Sequence, residues 1–455
     1  MDTLIIATQS GLASLASYLA AHVLLCLVPA FFIAGGLSAL VPQQSIIRFL
    51  GPGAPKYVSY PAAAGAGSLL AVCSCTIQPL FAGIYSKGAG LGPAITFLFF
   101  APAANILALS YTGVALGADF AIARIVLALI FGIGIGLLMA FLFRGDETVR
   151  CAANGSTGMF ADGEGIPGRN LLFLGVLVAL LIAGTLKVSW LGAPVVSTRL
   201  SWEGAVWFQH WLDGVVPINE MKGEEGLSLQ GLALIGLLLL IGGVAWRGLG
   251  KVDEGFNRMT PIALGLTVAT LAFAALGVKV GETGIEIIVT GRTLAVILLS
   301  VAVWPLARRF DPWEMQQWLW ETWRFVKMIF PLLVVGVFLV GVIRSFIQPE
   351  WIQAVAGSNT VLANLAGVAF GVFMYFPTLV EVPIAKMFLS LGMHPGPLIA
   401  YLMADPELSL QSILITSAII GKLKAWTYVG LVALFSTVAG LAYGAWVDGV
   451  RLTLY

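Results

Sequence analysis

The sequence predicts an all-α polytopic membrane protein. It is built on an internal, inverted repeat, with broken or re-entrant helices from the two copies meeting at the bilayer midplane and extra transmembrane helices between them. Three observations carry this. The 455-residue chain is 59% hydrophobic and only 10% charged, against about 25% charged residues in an average soluble domain. Its apolar runs reach the roughly 20 residues that a spanning helix needs and lack the alternation of an outer-membrane barrel. Finally, motifs near the start of the chain recur near its end at a constant spacing.

Taken in order, the expected spans are 16–41, 57–88, 91–116, 119–144, 170–188, 229–246, 260–278 and 284–306, then 325–347, 359–389, 395–416 and 421–446. The N-terminal segment has no Lys or Arg before Arg48. It therefore lacks the basic start of a secretory signal and reads as a retained span. Polar loops are few: 144–169 is mixed in charge, and 187–227 is acidic, with Glu203, Asp213, Glu220, Glu224 and Glu225. The segment 308–327 carries Trp313, Trp318, Trp320 and Trp323, the pattern of an amphipathic stretch at the headgroup level. The chain thus divides into a first repeat over 1–144, a central insertion over 145–324 and a second repeat over 325–455.

The repeat rests on punctuation. Pro79 matches Pro383, Gly88 matches Gly392, Pro93 matches Pro397 and Pro102 matches Pro406. Each pair is 304 positions apart (383 − 79, 392 − 88, 397 − 93, 406 − 102). The segments 57–88 and 359–389 would each be about 47 Å long as continuous helices, longer than the ~30 Å hydrocarbon core. Each is either one tilted, broken helix or a re-entrant hairpin. With hairpins, Arg48, Lys56 and Lys87 share a side with the basic loops, which satisfies the positive-inside rule and inverts the repeats. Such repeats place a solute site where broken helices meet.

The sharpest chemical signal is Cys73-Ser74-Cys75-Thr76-Ile77-Gln78-Pro79. Two cysteines one residue apart lie about 200° apart on a regular helix. They share a ligand only where the helix is broken, and Pro79 removes a helical hydrogen bond there. Paired thiolates suit a soft, sulfur-seeking centre, so Cys73 and Cys75 are the candidate ligands for a metalloid. The competing reading is small apolar filling. With only four cysteines, Cys26, Cys73, Cys75 and Cys151, neither a disulfide framework nor a four-ligand structural zinc site is expected. Ser74, Thr76 and Gln78 at the first break, and Tyr375 and Thr378 at the second, are candidate cavity-lining groups. They would equally serve to satisfy backbone freed by the prolines. Asn105 after Pro102 is a further candidate, with Asp405 and Glu407 in the matching place. Glu381, between Pro377 and Pro383, is an intramembrane carboxylate and the candidate for proton coupling; Lys386, Lys422 or Lys424 would be its structural partners.

From Cys73 to Pro79, through Gly88-Ala89-Gly90-Leu91-Gly92-Pro93 to Ala101-Pro102-Ala103-Ala104-Asn105, the chain resembles the bacterial predicted-permease family that includes the ArsP-type organoarsenical efflux permeases. The resemblance covers about residues 16–144 and 325–446. It implies export of trivalent, methylated arsenicals across the inner membrane. Two features depart from the family: Thr76 stands where Gly is common, and the block 170–306 is longer than a compact member needs.

The sequence-level expectation is thus a secondary-active permease, with a small thiophilic substrate and the lipid bilayer as partners and a homo-oligomer left open. The net charge of +1 gives no sign of a nucleic-acid partner, and no catalytic dyad, phosphate loop or cofactor motif appears. The alternatives are a carrier of another solute, such as a sulfur oxyanion or a transition-metal ion, and a non-transporting partner or sensor subunit.

Overall fold

The structure is a computed structural model that describes residues 2–69, 74–104, 106–147, 167–185, 189–202, 204–216, 226–281, 284–344, 346, 350–373 and 378–453. Side chains within some of these helices, including those of Ser74, Cys75 and Thr378, are not described. The first half runs α1 (Asp2–Tyr18), a π-helical stretch (Leu19–Leu27), α2 (Val28–Leu40), α3 (Gln43–Leu50), α4 (Lys56–Leu69), α5 (Ser74–Ser86), α6 (Leu91–Ala103), α7 (Ile106–Ala115) and α8 (Ala118–Leu142). The centre adds α9 (Gly168–Thr185), β1 (Pro194–Leu200), α10 (Gly204–Val215), α11 (Leu229–Gly248), α12 (Met259–Ala274), β2 (Gly277–Gly281), β3 (Gly284–Thr290) and α13 (Gly291–Ala307). The second half is α14 (Pro312–Arg344), α15 (Glu350–Ala356), α16 (Val361–Phe373), α17 (Thr378–Ser390), α18 (Pro395–Leu408), α19 (Leu410–Ile420) and α20 (Lys422–Thr453).

Among the described residues, five helices are long and apolar enough to cross a membrane alone, in α8, α9, α11, α14 and α20. The pair α18–α19, bent by 47° at Ser409, makes a sixth. The protein is a multi-pass membrane protein. Most other expected spans resolve into shorter helices. α6, for example, has 13 residues, about 20 Å at 1.5 Å per residue, well short of a ~30 Å core. The described residues of 57–88 fall in α4 and α5, and those of 359–389 in α16 and α17. Residues 70–73 and 374–377, where a broken helix or a hairpin is expected from sequence, lie outside the described residues.

The 304-residue repeat is written into the element boundaries. α5 and α17 end 304 apart, at Ser86 and Ser390 (390 − 86). The same interval separates the starts of α6 and α18 (395 − 91) and of α8 and α20 (422 − 118). Both helix-linking turns repeat in conformation: Gly88 has φ 96° and Gly392 φ 89°, while Gly117 has φ 110° and Gly421 φ 90°. Only glycine adopts such angles without steric cost. The packing repeats as well. α6 rests on α4 and α8, and α18 rests on α16 and α20.

The two halves exchange elements reciprocally, α5 lying against α19 and α17 against α7. At the seam between α8 and α20, Phe131 and Phe435, themselves 304 apart (435 − 131), meet edge to face with centroids 5.4 Å apart. Equivalent residues that touch each other are the mark of a two-fold relation. Helices α6 and α18 form the centre of the molecule. Every residue of α6, and every residue of α18 after Pro395, is buried, in keeping with helices that are covered on all sides.

Two expectations need correction. The apolar runs 260–278 and 284–306 do not stay helical: 277–281 and 284–290 form strands, joined by β1 in an antiparallel sheet of order β1-β3-β2. The β-branched cluster Ile285, Ile287, Ile288 and Val289 favours a pleated strand over a helix start. The aromatic segment 308–327 is also no separate surface stretch. From Pro312 on it belongs to the 33-residue α14, and Trp318 and Trp323 are buried while Trp313 is exposed. The Trp318 indole donates to the Phe32 carbonyl at 2.8 Å and so ties α14 to α2.

Candidate functional site

α5 follows Cys73 in sequence and begins with Ser74 and Cys75. Cys73 lies outside the described residues, as do Asn105 and Tyr375. Beyond the two cysteines, α5 is buried from Thr76 through Tyr85. The Thr76 hydroxyl contacts the Cys26 thiol. Cys26 lies in the π-helical stretch, a local distortion frequent at functional sites. By sequence Cys26 belongs to an apolar run, and nothing in the linear pattern joins it to Thr76 across 50 residues. A second anchor lies further along α5: Gln78, 2% exposed, accepts through Oε1 from the Thr416 hydroxyl of α19 at 3.2 Å.

Glu381 lies in the first turn of α17 and is fully buried. Its partner is none of the lysines expected from sequence. Arg124 of α8, also fully buried, donates from Nη2 to Glu381 Oε2 at 3.1 Å. The same guanidinium donates from Nε to the Ala103 carbonyl at 3.2 Å and from Nη1 to the Thr112 hydroxyl at 3.3 Å. Ala103 ends α6, where helical carbonyls lack intrahelical donors, and a cation there also suits the negative end of the helix dipole. Arg124 therefore does three things at once. It closes α6, holds α7 and neutralises Glu381 from the other half. The Arg124 bonds to Ala103 and Thr112 offset part of the cost of burying the pair, while Glu381 Oε1 has no hydrogen-bond partner among the described residues.

The two threonines in these networks are equivalent (416 − 112 = 304). Thr416 reaches Gln78 across the α5–α19 contact, while Thr112 reaches Arg124, and through it Glu381, across the α7–α17 contact. Gln78 and Glu381 are thus not brought to each other. Each is held at its own crossing between the halves. The sequence signal for the charged crossing is Arg124 itself, the one basic residue in the 25-residue apolar α8.

The other candidates find ordinary partners. Lys424 lies 3.5 Å from Asp146 and over the Phe143 ring, an anchoring role. Lys386 and Lys422 are exposed. His394 caps α18 by accepting from the Gly396 amide and lies 3.1 Å from Asp448, a partner 54 residues on that its sequence neighbourhood does not disclose. Asp405 and Glu407, in the place matching Asn105, lie in the last turn of α18 and are buried. Glu407 Oε2 accepts from the Tyr428 hydroxyl at 2.6 Å. No group of three or more His, Cys, Asp or Glu side chains poised to hold a metal ion occurs among the described residues.

Comparison with known proteins agrees with this architecture. UPF0718 protein MJ0584 of Methanocaldococcus jannaschii is 33% identical over 428 residues, covering 94% of this chain and 93% of that protein. UPF0718 protein YraQ of Escherichia coli is 25% identical over 124 residues, 27% of this chain and 35% of that protein. No solved structure matches. The family ArsP_1, described as predicted permease, matches residues 9–445, a stretch that holds both halves, the central block and both polar crossings. The chain belongs to the ArsP_1 predicted-permease family.

Proposed function

We propose that the protein is a secondary-active permease of the inner membrane that exports a thiophilic metalloid compound, trivalent methylated arsenic, by alternating access. The observation that carries this reading is the Cys73-Ser74-Cys75 motif of the sequence, which runs into α5, the helix that packs against α19 of the other half. Arsenic bearing one methyl group has two positions left for sulfur, and two neighbouring thiolates are the soft donors it prefers. The repeats 1–144 and 325–455, inverted relative to each other, would be the moving bodies, with 145–324 as an inserted block. Ser74, Tyr375, Thr378 and Asn105 would complete the pathway around the thiols. Thr76 and Gln78 hold α5 in place through Cys26 and Thr416. Glu381 would exchange its guanidinium partner for a proton as the halves separate.

A sulfur oxyanion fits less well. Arg124 is the one fully buried cation among the described residues, and Glu381 already neutralises it. The reading is tested by tolerance. Cells producing the native protein should survive trivalent methylarsenic that kills cells producing equal amounts of Cys73→Ser or Cys75→Ser. Undiminished tolerance in either variant would rule out thiol capture.

A further inference from the structure

We propose that Glu407 and Tyr428 form a proton-binding site at the α18–α19 break, a second intramembrane acid that loads and releases the coupling proton. The inference rests on the proposed transport function for its role, but not for its chemistry. Glu407 is 4% exposed. Its Oε2 accepts from the Tyr428 hydroxyl at 2.6 Å, and its Oε1 has no hydrogen-bond partner among the described residues. A buried carboxylate is stable as an anion only when paired with a cation or fully hydrogen-bonded.

No cation reaches Glu407 among the described residues. α18 packs against α6, α8, α16, α17, α19 and α20, and the one titratable side chain these bring to Glu407 is Tyr428 of α20. Arg124 of α8 and Glu381 of α17 are engaged with each other, Lys424 of α20 with Asp146, and His394, the cap of α18, with Asp448. Among the described residues the Tyr428 hydroxyl is the hydrogen-bond donor to Glu407, and a buried carboxyl with a phenol and no cation beside it has the chemistry of a proton-binding group.

The repeat sharpens this. Glu407 and Tyr428 occupy the positions of Ala103 and Arg124 (407 − 103 = 428 − 124 = 304). Both pairs are in contact, through the Arg124 bond to the Ala103 carbonyl and the Tyr428 bond to the Glu407 carboxyl. One copy therefore carries a permanent charge where the other carries an exchangeable proton. The acid also sits in the last turn before Ser409, where α18 and α19 meet at 47°. Breaks of this kind are tolerated in a bilayer where they line a cavity. Just past the break, Gln411 is fully buried and neither of its amide atoms has a partner among the described residues. It is a second unspent polar group on the same break. The step is a simple ionisation: the carboxylic O–H gives its proton to water when the break opens, and the Tyr428 hydroxyl stays in place as donor to the anion.

The first test needs no substrate. Infrared spectra of the purified full-length protein in lipid, at neutral pH, should contain a carboxylic-acid C=O band with a component that Glu407→Gln removes and Tyr428→Phe shifts. Glu381→Gln should leave that component in place. An unchanged band in a folded Glu407→Gln protein would overturn the proposal. If that variant does not fold, an unshifted band in Tyr428→Phe overturns it instead. In proteoliposomes, with trivalent methylarsenic as the probe, Glu407→Gln should keep exchange at equal concentrations yet lose accumulation driven by a pH gradient. Accumulation equal to that of native protein would refute the coupling role. Native protein that moves no arsenical would sink the transport reading, while the infrared result still decides the proton site.

Discussion

Arg124 and Glu381 stand 257 residues apart and meet as a fully buried ion pair, Nη2 to Oε2 at 3.1 Å, that fastens α8 of one half to α17 of the other. The pair matters less for the stability it adds than for what its loss would leave behind. Removing one member of a buried pair strands the other charge, at a cost of about 3–5 kcal/mol, whereas replacing both by apolar groups is often close to neutral. Arg124→Leu should therefore sharply lower the unfolding temperature of the purified protein, and Arg124→Leu/Glu381→Leu should recover most of the loss. A double variant as unstable as the single one would mean that the Arg124 bonds to Ala103 and Thr112, not the charge pair, dominate.

The equivalent crossing on the other side carries no charge and should be correspondingly weaker. Thr416→Val removes the donor to Gln78 and should cost about 1–3 kcal/mol, the usual penalty for leaving a buried polar group unsatisfied. Thr416→Val/Gln78→Leu should be less destabilised than Thr416→Val, read from the midpoints of thermal unfolding. Additive losses would mean that the two side chains do not act together.

Close backbone contact between α18 and α20 gives a third prediction. A Cβ placed on Gly396 would fall 2.7 Å from the Gly440 carbonyl oxygen. In the first half, a Cβ on Gly92 would fall 2.9 Å from the Gly136 carbonyl oxygen. These pairs are 304 apart (396 − 92, 440 − 136). Gly396→Ala and Gly92→Ala should each cost about 1–3 kcal/mol by overpacking, seen as reduced yield of folded protein on size-exclusion chromatography. Gly53→Ala, where nothing lies within 4 Å, is the matched control and should behave as native.

Much of this fold is legible in the sequence because prolines and glycines punctuate it. The 304-residue interval read from Pro79, Gly88, Pro93 and Pro102 reappears in helix starts, in the φ angles of Gly88 and Gly392, and in the contact of Phe131 with Phe435. Relations that a linear pattern does not encode stay hidden. Ile285 to Val289 read as an apolar span because hydropathy does not separate a buried helix from a strand. Glu381 stands out as an unusual intramembrane acid and Arg124 as the one basic residue of α8, but no linear signal pairs them across 257 residues. The contact of Cys26 with Thr76 depends on the packing of α5 against the N-terminal helices, which no local signal announces. Cys73, Asn105 and Tyr375 fall outside the described residues, so their part in the site stays a proposal from chemistry and sequence position.

Uptake of trivalent methylarsenic into everted membrane vesicles tests the central claim most directly, comparing native protein with Cys73→Ser/Cys75→Ser in the presence and absence of a proton gradient. The expected result is gradient-dependent uptake by native protein and background uptake by the double variant, at equal protein levels. Uptake by the double variant equal to that of native protein, or none by folded native protein, would contradict it.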